Sequence, residues 1–306
     1  MILAAQAAAT CRDALAGRIG VPEHGLSESQ IELTMHLFLN TDPARRRIAP
    51  GFWLALVALI AGAALWWHGP IAQWASYHDF ADARSWWAIP NAANVLSNLP
   101  FGVIGVWGFW RLGRSARNGV VGPAHAAWSL FSAAVAATAF GSAAYHWAPS
   151  NASLVTDRLP IAWACAALLC ALIAERVDSR WGRPRMLASG LAVATASVLW
   201  WWFTERQGHG DLRAYLWVQF LPMLLVPLVL ALRLPATGTR LVPASAWWMV
   251  LGLYGLAKVM ELADATVFDT IGFASGHTFK HLLAAAAAWW LLRAATTPRR
   301  TADQLR

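Results

Sequence analysis

Two histidines stand four residues apart in His277-Thr278-Phe279-Lys280-His281. On a helix this spacing stacks both imidazoles on one face, which suits two nitrogen ligands on one metal ion, although plain polar packing uses the same spacing. In Gly141-Ser142-Ala143-Ala144-Tyr145-His146, Ser142 and His146 again share a face, and Asp157 follows eleven residues later. A tight turn around Pro149 would bring Asp157 back to the level of Ser142 and His146. If the three segments meet, three histidines, a serine and an aspartate converge. Three neutral imidazoles with a fourth position open describe a catalytic zinc site. Zinc lowers the pKa of a coordinated water to about 7, which supplies a nucleophile at neutral pH. Asp157 would then act as general base or orient a histidine, and Ser142 would donate to an oxyanion. The competing reading is a helix-packing network in which Ser142 bonds only a backbone carbonyl.

The elements that must position these groups are membrane helices. The chain is 58% hydrophobic and 13% charged, whereas soluble domains average about 25% charged residues. That composition excludes a nucleic-acid binder, a disordered chain and, with three cysteines (Cys11, Cys165, Cys170), a disulfide scaffold. The net charge of +8 comes from arginine, since Lys258 and Lys280 are the only lysines, and most arginines lie in short loops. Eight apolar runs approach or reach the length of about 20 residues that spans a bilayer. They are 52–67, 91–111, 123–147, 158–175, 186–204, 212–233, 243–264 and 276–294. Tryptophans gather at their ends, where indole favours the membrane–water interface. The fold class expected is an all-α polytopic bundle.

Loop charge tests the count of eight. Alternate connections, the N-terminal flank and the tail collect sixteen arginines, and the other side holds Arg84, Arg158, Arg206 and Arg213. Positive charge marks the cytoplasmic side, so both termini are expected there, with the histidines and acids on the opposite side. Residues 1–48 read as a cytoplasmic segment without a signal peptide's basic start; Met35 is an alternative start. Residues 49–76 hold one additional helix and a loop, 77–296 the seven-helix core and 297–306 a cytoplasmic tail.

Other polar residues gather on the arginine-poor side: His78, Asp79 and Asp82 before the second run, and Glu261, Asp264 and Asp269 after the seventh. Ionisable groups at membrane depth are functional hypotheses by default. Lys258 and Glu261, three residues apart, are expected to form a salt bridge across one helical turn; the alternative is a headgroup pocket. No role is assigned to His68, His125 or His209.

The set Ser142-x-x-x-His146, Asp157 and His277-x-x-x-His281 resembles the alkaline ceramidase family, in its bacterial type, within the seven-helix hydrolase superfamily that includes the adiponectin/progestin-type receptors. Supporting stretches are Asp79-Phe80-Ala81-Asp82, Ile89-Pro90-Asn91-Ala92-Ala93-Asn94-Val95-Leu96-Ser97-Asn98, Asp157-Arg158-Leu159-Pro160 and Ser275-Gly276-His277. The resemblance covers about residues 77–294 and leaves the first run unexplained. It implies zinc on His146, His277 and His281, with Ser142 and Asp157 assisting amide hydrolysis. The substrate implied is a membrane lipid, ceramide, cut to a sphingoid base and a fatty acid. The family often also holds calcium through an acidic segment before the first core helix. Here that would involve Asp79, Asp82 and Asn91, although Arg84 sets a cation among them, and solvated loop pairs of Asp79, Asp82 and Arg84 are the competing reading.

Three function classes follow from these residues. The first is a zinc-dependent intramembrane amidase acting on ceramide or another N-acyl lipid. The second is a receptor-like or regulatory membrane protein with the same zinc site and little turnover; the small loops, with no appended signalling domain, favour the enzyme. The third, a haem-binding electron carrier, is disfavoured because axial ligands approach iron from opposite sides, whereas His277 and His281 share a face.

Overall fold

A computed structural model describes residues 43–232 and 242–297, with only the helical backbone described over 43–50. Expectations for residues 1–42, Cys11, the start at Met35, the loop arginines Arg233 and Arg240 and the tail from 298 onward lie outside the described residues.

Ten α-helices and no strand occur among the described residues. They are α1 (Pro43–His68), α2 (Ala92–Leu96), α3 (Leu99–Arg117), α4 (His125–Trp147) and α5 (Asn151–Arg176). After these come α6 (Pro184–Arg206), α7 (Arg213–Ala231), α8 (Ala244–Leu262), α9 (Asp264–Ile271) and α10 (Gly276–Thr296). The eight long helices coincide with the eight apolar runs. Six of them are long and apolar enough to cross a membrane, the third helix being counted together with α2 as Ala92–Arg117. The two outside that set are α8 and α10, where Lys258 and Glu261, and His277, Lys280 and His281, interrupt the apolar sequence. The two helices whose membrane signal is diluted are therefore the ones that carry His277, Lys280 and His281 and the paired Lys258 and Glu261.

The long helices α3, α4, α5, α7, α8 and α10 pack successively into a ring, with α6 against α5 and α7. Helix α5 is the most buried span, and α1 the least. Helix α1 touches α7, where Trp217 Nε1 donates to the Ala58 carbonyl at 3.1 Å. Large apolar side chains such as Leu59, Val103 and Phe140 face outward; exposed surface of this kind suits lipid rather than water.

Two glycines let helices approach closely at one end of this ring. A Cβ on Gly141 would collide with the Thr156 carbonyl, and one on Gly276 with the Met260 carbonyl. The first holds α4 against the opening of α5; the second holds the opening of α10 against the end of α8.

Candidate metal centre

The turn after α4 delivers Asp157. Ser150 caps α5 in a reciprocal box: its Oγ accepts from the Ser153 N–H at 3.1 Å, and Ser153 Oγ accepts from the Ser150 N–H at 3.0 Å. This satisfies two backbone donors that a helix start leaves unpaired. Thr156 Oγ1 then donates to the Gly141 carbonyl at 3.0 Å. Since Gly141 and Thr156 abut, the next residue on each helix, Ser142 and Asp157, is carried to the same level of the packed pair. Both side chains are buried, and Asp157 Oδ1 has no hydrogen-bond partner.

One turn further along α4, His146 faces His277 and His281 from the first two turns of α10. All three are buried, and one ligand nitrogen from each lies within 4.8 Å of the other two. The ring centroids are 4.8–4.9 Å apart in every pair. His146 Nε2 and His277 Nε2 are 3.3 Å apart. Tetrahedral zinc with Zn–N of about 2.0–2.1 Å requires ligand nitrogens roughly 3.3 Å apart, so this pair already has the required separation.

Hydrogen bonds set two of the three tautomers. Ser97 Oγ donates to the Asn94 carbonyl at 3.0 Å, so its oxygen accepts from His281 Nδ1 at 2.8 Å. That leaves the His281 Nε2 lone pair free for a metal. Lys280 Nζ donates to His277 Nε2 at 2.8 Å, so that nitrogen carries a lone pair, which the ammonium gives up before a metal ion can take it. His281, with its other ring nitrogen held by an acceptor, has the orienting pattern that metal-bound histidines use. The donor set fits a borderline-soft divalent ion. Replacing Ser97 with alanine is expected to weaken zinc binding by about 10–100-fold, measured by competition with a chromogenic chelator, while the helix content is unchanged.

The segment 78–98 braces the cluster. Phe80 covers two of the histidines, with centroids 4.6 Å from His146 and 5.0 Å from His277. Its loop is tied down by Ala81 N–H donating to Asp264 Oδ2 at 3.0 Å, while Asp264 Oδ1 accepts from the His277 N–H at 2.7 Å. His78 contacts the Tyr145 hydroxyl at 2.9 Å and Asn151 Oδ1 at 3.0 Å. Asn91 is in the left-handed region at φ 46°, a conformation asparagine tolerates better than most residues. It donates to the His146 carbonyl at 2.9 Å. Asn94 Oδ1 accepts from Thr278 Oγ1 at 2.9 Å.

The three residues considered for calcium have a different arrangement. Arg84 donates to both carboxylate oxygens of Asp82, each at 2.8 Å. Asp82 is 1% exposed and Arg84 43%, so of the expected solvated pair the arginine faces outward and the carboxylate is buried. Burial favours its neutral acid, but hydrogen bonds from Arg84 outweigh this and hold the carboxyl below its usual range. Asp79 is exposed, and Asn91 donates its amide to α4. Hard cations need six or more oxygens, and the guanidinium occupies those that Asp82 would offer.

Lys258 and Glu261 form the expected salt bridge at 2.7 Å, and Glu261 also binds Lys280 at 3.1 Å. Reading the sequence alone left Phe80, Ser97 and Lys280 without roles. Phe80 and Ser97 do lie in the stretches that carry the family resemblance, which was the available signal. Cys165 and Cys170 are free and buried. Compared with protein-family models and with curated proteins, the chain matches none.

Proposed function

We propose that this protein is a zinc-dependent intramembrane hydrolase that cleaves the amide bond of ceramide or a related N-acyl lipid, releasing a sphingoid base and a fatty acid. The observation that carries this reading is the buried His146–His277–His281 cluster, with Ser142 buried one turn before His146 and Asp157 buried on the helix packed against it. In this reading all eight long helices span the membrane, both termini are cytoplasmic and the cluster opens toward the other side, following the arginine distribution.

When bound, the zinc would supply Lewis acidity and an activated water. The protein's own groups do the remaining work. His146, His277 and His281 hold the ion, and Ser97 fixes the ring of His281. Asp157 takes a proton from the attacking water at its unpartnered Oδ1 and later returns it to the leaving nitrogen. Ser142 orients that carboxylate. Phe80, lying over the histidines, keeps bulk water out, and the acyl chain enters between helices from the lipid.

The test is turnover of a labelled ceramide by detergent-purified protein. Release of labelled fatty acid that stops on chelation and returns with zinc is expected. A zinc-loaded protein that hydrolyses none of a panel of N-acyl sphingoid lipids would favour the receptor-like alternative.

A further inference from the structure

The proposed chemistry leaves one buried charged group unused. Lys280 sits on α10 between the two histidines, where an apolar residue would serve a membrane helix better. Its side chain is 18% exposed and its ammonium is 2.8 Å from His277 Nε2. The ammonium therefore stands against the histidine cluster, at a ring nitrogen of His277.

Two lysines share one carboxylate here: Glu261 binds Lys258 at 2.7 Å and Lys280 at 3.1 Å. An ammonium has three donors, and Lys280 gives one to Glu261. With a metal ion on the lone pair of His277 Nε2, the donor that Lys280 gives to that nitrogen is released for a ligand at the site. Beside a divalent cation an ammonium is repelled, and an anionic ligand between the two charges relieves that repulsion.

We propose that Lys280 is a further catalytic residue, the donor that binds the negatively charged oxygen of the reacting amide and of the carboxylate product. This rests on the hydrolase reading above. As water adds, a C–O bond forms at the carbonyl carbon and the π electron pair moves onto the carbonyl oxygen. Lys280 hydrogen-bonds that oxygen and keeps its own proton throughout. One proton of the water passes to Asp157 and then to the nitrogen as the C–N bond breaks; the other, left on the acid, passes to the released amine, leaving ammonium and carboxylate. Glu261 is the positioning residue that aims the ammonium.

The test uses the full chain loaded with cobalt(II) and titrated with azide, read from the visible bands of the metal. Lys280→Met should take up cobalt at the wild-type stoichiometry yet bind azide at least about 10-fold more weakly, while Lys280→Arg stays within about 3-fold of wild type. Turnover of the labelled lipid by zinc-loaded Lys280→Met should fall about 10²–10³-fold, the usual cost of removing one oxyanion donor. Glu261→Gln should weaken azide binding in the wild-type background and leave it unchanged in Lys280→Met. Unchanged azide affinity in Lys280→Met overturns the role, and so does loss of cobalt from that variant, which would make Lys280 a ligand. A wild type that shows no cobalt bands before azide is added overturns the metal centre and this role together. Cobalt and azide binding as expected, without turnover of any lipid, supports the anion site and overturns only the hydrolase reading.

Discussion

Replacing His281 with alanine is expected to take the protein from about one zinc per chain to none and to bring lipid hydrolysis to background. The size of the effect follows from the donor set. In the proposed centre three imidazoles would hold the ion, and the ring of His281 is held by Ser97 at 2.8 Å. Its loss would leave two nitrogens, while Ser97 keeps its bond to the Asn94 carbonyl. No other histidine, cysteine or acid among the described residues joins the three-histidine group to replace it. Zinc measured by atomic emission on wild type and variant, with circular dichroism to show that both are helical, decides the matter. Full zinc in a folded His281→Ala protein would dismiss the three-histidine centre.

Asp157→Asn is expected to separate proton transfer from metal binding. The amide is nearly isosteric with the carboxylate, so α4 and α5 should stay together. It cannot carry a proton at neutral pH, and general acid–base catalysis contributes about 10²–10⁴-fold. Zinc content should therefore match the wild type while turnover falls by that factor. Undiminished turnover would remove Asp157 from the mechanism; loss of zinc would show that it holds or orients the ion instead.

Much of the fold was legible because apolar periodicity and length are local properties. The runs 52–67, 91–111, 123–147, 158–175 and 186–204 became α1 and α3 to α6, with ends within six residues and starts within nine of those read. The close approach of α4 and α5 beside Ser142 and Asp157 was also legible, since it depends on one short turn. The pairing of α10 with α4 was an inference from residue chemistry, because nothing local in either helix names its neighbour. Short elements escaped for the same reason. Helix α9, eight residues long, takes its place from packing on α10. The burial of Asp82 depends on Arg84 folding back on it, with Arg84 also donating to the Gly272 and Phe273 carbonyls at 3.1 and 2.9 Å. A charged loop sequence looks solvated until those distant carbonyls are in place.

The double use of Asp264 couples two motions that would otherwise be independent. One oxygen holds the backbone of the Phe80 loop and the other holds the first turn of the ligand helix at His277. Anything that lifts Phe80 must therefore break the Ala81 contact or drag the start of α10 with it. If the proposed centre holds an ion, thermodynamic reciprocity requires that whatever free energy loop closure adds to the grip on the ion, the ion returns to loop closure. On the proposed reading, a chain stripped of metal would then be the more open one, and a chain engaging a bulky lipid the one most prone to lose its metal.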